Sequence, residues 1–277
     1  AGLDGVEILA SQNCLPAQFL NPRLNRRTDE YGGSLDNRLR FLREVIERVR
    51  DRVGTDIVVG MRISGDELQA GGTDPAEILE ACAALGNEGG LDYLNVIAGG
   101  MMQLDGSIHI VPPMAVEHAY LAPLAHAVKQ RVPVPVFVAG RINQPQQAEE
   151  ILKAGQADMI GMTRAQIADP QMANKARDGR MDDIRACIAC NQACIGHMQM
   201  GIGISCIQRP ETGREQEFDV KTPAATPRTV LVAGGGPAGM KAAAVAAERG
   251  HRVILCEASE RLGGQALLAQ ELPGRAE

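Results

Sequence analysis

Val134-Pro-Val-Phe-Val-Ala-Gly140-Arg141 and, further along, Met159-Ile-Gly-Met-Thr163-Arg164 are short apolar runs that end in a glycine and an arginine. Apolar runs rich in Val and Ile, bounded by turn residues, read as buried strands. The same pattern recurs upstream at Val6–Ala10, Ile57–Ile63 and Tyr93–Ile97, with Arg62 at the end of the second. Amphipathic stretches separate the runs. Asp36–Arg52 sets Leu39, Leu42, Val45, Ile46 and Val49 on one helical face. Pro75–Leu85 follows Asp74, a residue type that caps helix N-termini, and places proline in the first turn. Leu121–Gln130 and Gln144–Ala154 complete the series. Strand–helix alternation of this kind predicts an α/β protein whose parallel sheet is covered on both faces. Periodicity fits an open doubly wound sheet and a (β/α)8 barrel equally. Polar groups gathered at the C-terminal ends of several strands are a barrel enzyme's layout. Gly140-Arg141 and Thr163-Arg164 match a phosphate cradle made by the loops after strands 7 and 8, with a short helix starting at Ala165. The bland alternative makes Arg141 and Arg164 solvent-facing loop residues. Two arginines beside glycines in successive loops weigh against it.

Downstream lies Cys187-Ile-Ala-Cys190-Asn-Gln-Ala-Cys194, then Cys206. Four cysteines at this spacing are ligands for a tetrahedral sulfur site, which means an iron–sulfur cluster or zinc. A disulfide framework belongs to short secreted domains, and this chain carries no export signal. Asp219–Arg228 is polar, rich in Pro and Thr, and reads as a linker. Thr229–Ala233 is then a strand, Gly234-Gly-Gly236-Pro-Ala-Gly239 opens a helix running to Arg249, and Arg252–Cys256 is a second strand ending at Glu257. Between strand and helix, with an acid at the next strand end, these glycines read as a dinucleotide fingerprint. They allow a tight turn and close backbone approach to a pyrophosphate, and Glu257 would accept from ribose hydroxyls.

The 277 residues are 45% hydrophobic and 22% charged, ordinary for a globular protein. A net charge of −6 offers no basic surface for nucleic acid or anionic membrane. No apolar run approaches bilayer-spanning length. Seven cysteines without an export signal point to reduced thiols in the cytoplasm. Aromatics are 3%, with no Trp, so a planar ligand would be held by backbone, Arg and aliphatic groups. The chain opens without Met on a strand and stops soon after a nucleotide motif begins. An internal fragment of a longer protein is expected, its sheet exposing apolar edges meant for absent strands.

Pro16-Ala-Gln-Phe-Leu-Asn-Pro, then Asn25-Arg-Arg-Thr-Asp-Glu-Tyr-Gly-Gly-Ser-Leu-Asp-Asn-Arg38, resemble the signature loop of the old yellow enzyme family. Ala157-Asp-Met-Ile-Gly-Met-Thr-Arg-Ala-Gln-Ile-Ala-Asp-Pro170 and the cysteine window narrow the likeness to the family's iron–sulfur branch, that of 2,4-dienoyl-CoA reductase and trimethylamine dehydrogenase. The resemblance implies a domain plan. Residues 1–180 would be strands 4 to 8 of an FMN-binding barrel, residues 181–222 a cluster segment and linker, and residues 228–277 the start of a Rossmann-like FAD/NAD(P) domain. It also implies that Cys187, Cys190, Cys194 and Cys206 ligate a [4Fe–4S] cluster. Arg62 would reach the flavin ring, and Gly140, Arg141, Thr163 and Arg164 would hold the FMN phosphate. Gly234, Gly236, Gly239, Glu257 and Gly264, the last in Leu262-Gly-Gly-Gln265, would serve FAD. Electrons would pass from NAD(P)H through FAD and the cluster to FMN and a small-molecule alkene. Reversed flow would make the protein an amine or N-methyl dehydrogenase, and a reading of another class keeps the thiols as structural zinc ligands. The family's His and Tyr proton donors are replaced here by Leu9, Gln12, Cys14 and Met101, which are poor acids at neutral pH. Of His109, His118 and Tyr120 in the loop before Leu121, His109 is the catalytic candidate. Cys82 on its amphipathic helix and Cys256 at its strand end are expected to be packed.

Overall fold

The computed structural model describes residues 2–218 and 222–272. Residues 219–221 of the expected linker, the first residue, and the last five of the expected nucleotide-binding segment lie outside the described residues. The chain divides into two compact units, Ala1–Asn191 and Gln192–Glu277.

The first unit runs β1 (Gly5–Ala10), α1 (Leu15–Leu20), α2 (Leu35–Val53), β2 (Val58–Asp66), α3 (Pro75–Asn87), β3 (Tyr93–Ala98), α4 (Leu104–Ser107), α5 (Ala122–Lys129), β4 (Val136–Ala139), α6 (Pro145–Lys153), β5 (Met159–Gly161), α7 (Thr163–Ala168) and α8 (Met172–Arg177). Its five strands form one parallel sheet in chain order, with Ile8 beside Met61, Met61 beside Leu94 and Leu94 beside Val136. The pleat puts these residues and Val59, Ile63, Val96 and Val138 on one face, where all are buried. Against them pack Leu39 and Leu42 of α2, Ile78, Ala81, Cys82 and Leu85 of α3, and Ala125 and Val128 of α5. Burying each of the larger side chains stabilises the unit by about 1.5–3 kcal/mol. Cys82 is packed as expected, and burial pushes its thiol up to about 12.

The other face differs from the expected helix-covered surface. It carries Glu7, Leu9, Arg62, Tyr93, Asn95, Phe137 and Met159, with Leu9 42% and Met159 53% exposed. Glu7 pairs with Arg62 at 2.7 Å and accepts from Tyr93 Oη at 3.1 Å and Asn95 Nδ2 at 2.8 Å. Tyr93 stacks on Phe137 with ring centres 4.3 Å apart. Its ring lies against Gly60, where a Cβ would come within 2.0 Å of Cζ.

Two aspartates fix the register from below. Asp92 accepts from Val59 N and Arg50, and Asp158 from Val136 N and Lys129, each at 2.7–2.8 Å. Each satisfies an amide at the start of a neighbouring strand, the second of β2 and the first of β4. β4 starts at Val136 instead of Val134 because Pro135 has no N–H to give. α3 begins as expected, Asp74 accepting from Ala76 N at 2.8 Å. α7 starts at Thr163, earlier than the expected Ala165.

The second unit holds α9 (Ile195–Gln199), α10 (Glu215–Phe218), β6 (Thr229–Ala233), α11 (Pro237–Glu248), β7 (Arg252–Cys256) and α12 (Gln265–Ala269). β6 and β7 pair in parallel from Thr229 opposite Arg252 to Ala233 opposite Cys256. Cys256 is exposed, not packed as expected, because it falls on the outward face of this two-stranded pair.

Gly60→Ala should lower the stability of the first unit by about 1–3 kcal/mol, the range for overpacking a filled site. The urea midpoint followed by tyrosine fluorescence measures it, and an unchanged midpoint would mean that the Tyr93–Phe137 stack is free to move.

Candidate active site

Parallel strands deliver their C-terminal ends to one side, and there a cavity of about 300 Å³ opens. Its wall includes Gln12 after β1, Arg62 of β2, Ile97 of β3, Gly140 and Arg141 after β4, and Thr163 and Arg164 of α7. His109 and Cys187 also line it. The cavity therefore gathers Arg62, Gly140, Arg141, Thr163, Arg164 and His109, six residues singled out separately in the sequence.

Arg141 is 8% exposed and adopts φ +46°, the left-handed conformation that turns successive N–H groups toward one concave side. Its guanidinium donates to the Val116 carbonyl. Gly161 keeps the floor low, since a Cβ there would stand 2.7 Å from that of Ala139. Arg164 Nη1 donates to Pro112 O and Asn191 Oδ1, both at 2.8 Å. Asn191 Nδ2 in turn donates to Val111 O at 2.7 Å, Asn143 Nδ2 to Cys187 O at 2.5 Å, and Met114 N to Ala189 O at 3.1 Å. The first half of the cysteine window is thus stitched onto the cavity wall. Asn143 and Asn191 were not singled out in the sequence. The only trace of them is position, Asn143 just past Gly140-Arg141 and Asn191 inside the cysteine spacing.

His109 Nδ1 lies 3.2 Å from Tyr120 Oη. Burial holds the imidazole below its usual value, with Asp66 opposing, and burial pushes Tyr120 up to about 12. With Nδ1 accepting from Tyr120, the ring proton of neutral His109 sits on Nε2. Of the residues at the family's donor positions, Gln12 lines the cavity, while Leu9, Cys14 and Met101 do not, and neither does His118.

Three arginines and a left-handed turn around one cavity suit an anionic phosphate with a planar body, so the residues fit FMN. For the cluster, all four cysteines are half-buried. Cys187 and Cys190 belong to the first unit, Cys194 and Cys206 to the second. Ala189 N approaches Cys187 Sγ at 3.4 Å, the kind of donor that supports a thiolate ligand. Among the described residues, no group of three or more His, Cys, Asp or Glu side chains is gathered for a single metal ion. Four cysteine thiols are the donor type that an iron–sulfur cluster takes.

In the second unit, Gly234 has φ +105°, and a Cβ on Gly239 would lie 2.0 Å from Gly234 O, so helix and turn close only without side chains. Gly264 packs against Gly236, where its Cβ would come within 3.1 Å of Cα. Glu257 accepts from Gly235 N at 2.6 Å and from Ser259 N and Oγ at 2.9 and 3.0 Å. The backbone bonds from Ser259 and Gly235 hold this carboxyl down at about 2.

Among the described residues no helix is long and apolar enough to cross a membrane. Residues 229–270 match the FAD dependent oxidoreductase family. A metal reductase from Desulforamulus reducens is 44% identical over 276 residues, covering 99% of this chain and 40% of that protein. An N,N-dimethylglycine/sarcosine dehydrogenase from Chromohalobacter salexigens is 41% identical, again covering 99% of this chain and 40% of its own length. The chain therefore spans about two fifths of these curated relatives. A solved 2-naphthoyl-CoA reductase superposes with TM-score 0.93 at 34% identity, covering 99% of this chain and 41% of that one. The open five-stranded sheet is a partial (β/α)8 barrel. Since residues 1–183 match one family throughout, the chain belongs to the NADH:flavin oxidoreductase / NADH oxidase family.

Proposed function

We propose that this chain is the flavin- and cluster-bearing part of an NAD(P)H-dependent oxidoreductase that reduces an activated alkene on a small molecule. The observation that carries this reading is the single cavity lined by three arginines, His109 and Cys187. In this reading residues 1–180 supply the FMN barrel, 181–222 the [4Fe–4S] segment, and 228–277 the start of the FAD domain. Bound FMN would exchange hydride with substrate, while the cluster carries single electrons between it and the FAD that NAD(P)H reduces.

Each side chain has a task in that scheme. Arg62, anchored by Glu7, presents fixed positive charge to the ring end of the cavity. Arg141 and Arg164, with the amides around Gly140 and Thr163, neutralise the phosphate. Cys187, Cys190, Cys194 and Cys206 bind the cluster. Gly234, Gly236, Gly239 and Gly264 admit the FAD pyrophosphate, and Glu257 takes ribose hydroxyls. His109 delivers the proton that the alkene carbon opposite the hydride requires.

One observation favours the opposite direction of flow. Leu9 near the end of β1, and Gln12 and Cys14 just after it, stand where family members carry His or Tyr, and a relative at 41% identity is an N,N-dimethylglycine/sarcosine dehydrogenase. An enzyme that oxidises an amine needs no proton donor there. Assays with NADPH plus an enoyl-CoA, against secondary and tertiary amines plus an acceptor, separate the two, and turnover of amines alone would overturn alkene reduction.

Full-length protein purified anaerobically should contain iron and acid-labile sulfide in equal amounts, with both flavins, and a zinc-only result would remove the redox reading. His109→Ala should slow reoxidation of the reduced enzyme by alkene at least about tenfold, a conservative figure below the ~10²–10⁴-fold that a general acid contributes. Because burial lowers the His109 value, its acidic form fills only below the usual 6.5. Alkene-dependent reoxidation should therefore rise as pH falls, with a midpoint below 6.5, and lose that slope in His109→Ala. Glu257→Gln should reduce bound FAD while leaving FMN in place. In the wild type, carboxyl NMR should find the Glu257 midpoint at about 2. Its stabilising effect is thus complete above the ordinary 4.5 and is lost as pH falls through about 2.

A further inference from the structure

Glu67 follows β2 and is 4% exposed, yet its carboxylate is held by neutral donors. Asn13 Nδ2 reaches Oε2 at 3.1 Å, Gln69 Nε2 reaches it at 2.8 Å, and Asn21 Nδ2 bridges both oxygens at 3.3 Å. Thr73 gives Oε1 its hydroxyl at 2.9 Å and its amide at 3.4 Å. Burying a carboxylate is costly, and a core needing only cohesion would use an apolar group. What distinguishes this carboxylate is the direction it imposes. Because Asn13 and Gln69 turn their NH2 groups to Glu67, their carbonyl oxygens face the loop after β3. Asn13 Oδ1 there accepts from Met101 N at 2.6 Å, and Gln69 Oε1 from Met102 N and Gln103 N at 3.2 and 3.3 Å. A Cβ on Gly100 would lie 2.3 Å from Gln69 Nε2, so the loop can sit this close only with glycine. That loop leads to His109, and Asn13 is the neighbour of Gln12, which lines the cavity beside it.

We propose that Glu67 is a positioning residue that sets the polarity of two amides and thereby fixes the loops carrying His109 and Gln12 at the substrate end of the cavity. Glu67 does not line the cavity, and the proposal rests on the reading above that His109 serves the substrate half-reaction. The phosphate end, built by the loops after β4 and β5, does not depend on it.

The test uses the full-length enzyme and Glu67→Gln, which keeps the shape but puts an NH2 where only acceptors fit. FMN content and NAD(P)H-driven flavin reduction should stay within about twofold of wild type, while alkene-dependent reoxidation falls at least about tenfold. The His109 imidazole resonance should move, and its titration midpoint should rise toward the ordinary value as the ring loses burial. Adding Asn13→Asp moves the carboxylate one position along the relay and restores an acceptor for Met101 N. Glu67→Gln/Asn13→Asp should recover part of the lost rate. Should Glu67→Gln fail to fold, Gln69→Ala cuts one arm alone and should give the same changes, smaller. A lowered melting temperature with an unmoved His109 resonance and an unchanged substrate half-reaction would reduce Glu67 to a structural residue and overturn the proposal. If His109→Ala is silent but Glu67→Gln still shifts the His109 resonance, the catalytic reading of His109 fails and the positioning stands.

Discussion

Five strands running parallel open every following loop on the same side of the sheet. Chain direction alone therefore brings Gln12, Arg62, Arg141, Thr163 and Arg164 together, although they are far apart in sequence. The strand pleat then divides the work between the faces. Residues such as Met61, Leu94 and Val136 fill the helix-facing core, and Glu7, Arg62 and Asn95, one position away in each strand, face the other side. A slip of one residue in any strand would exchange core for site. This is why Asp92 and Asp158 matter at the far end of the sheet, where each fixes an amide at a strand's start and so the register that aims the arginines.

The cavity concentrates positive charge, and the structure balances it locally. Glu7 stands behind Arg62, so that cation is paired from below and directed from a fixed point. Arg164 is oriented by Pro112 O and Asn191 Oδ1, which ties a phosphate-binding candidate to the cysteine window. Asn143 does the same through Cys187 O. A segment so fastened to the wall has fewer conformations left to lose on further ordering. The same bonds make the wall's shape depend on the window, since Cys187 and Ala189 are part of the lining.

Strands, helices and arginine-bearing strand ends were legible in the sequence because each rests on local pattern: alternating apolar runs, an Asp before Pro75, a glycine beside an arginine. What lay beyond reading depends on partners distant in sequence. Leu15–Leu20 is too short to display a helical period, and it was missed. β2 runs on to Asp66 through an irregular register at Ser64, which no propensity marks. Cys256 reads as core in any strand, and only the absence of a further neighbour on β7's outer face among the described residues leaves it exposed. Glu67 in Gly65-Asp-Glu-Leu looks like an ordinary loop acid. Its burial exists only once Asn13, Asn21 and Thr73 have folded around it.

The placing of His109 follows from the same logic. At the end of β1, where family members place His or Tyr, this chain has Leu9 and Cys14 off the cavity and Gln12 on it. Gln12 can hydrogen-bond a substrate but has no proton to give. In the proposed alkene reduction an acid would come from a loop long enough to reach back over the mouth, and the loop after β3 carries His109 into the lining. A long loop costs more entropy to order than a strand end does. The folded chain meets that cost with directional bonds: Ser64 Oγ donating to Gly99 O at 2.9 Å, Asn13 and Gln69 accepting from Met101, Met102 and Gln103, and Tyr120 lying against His109. In the proposed reaction, a donor carried by a loop and not by a strand end would account for the buried Glu67 carboxyl group, held by neutral donors just outside the cavity.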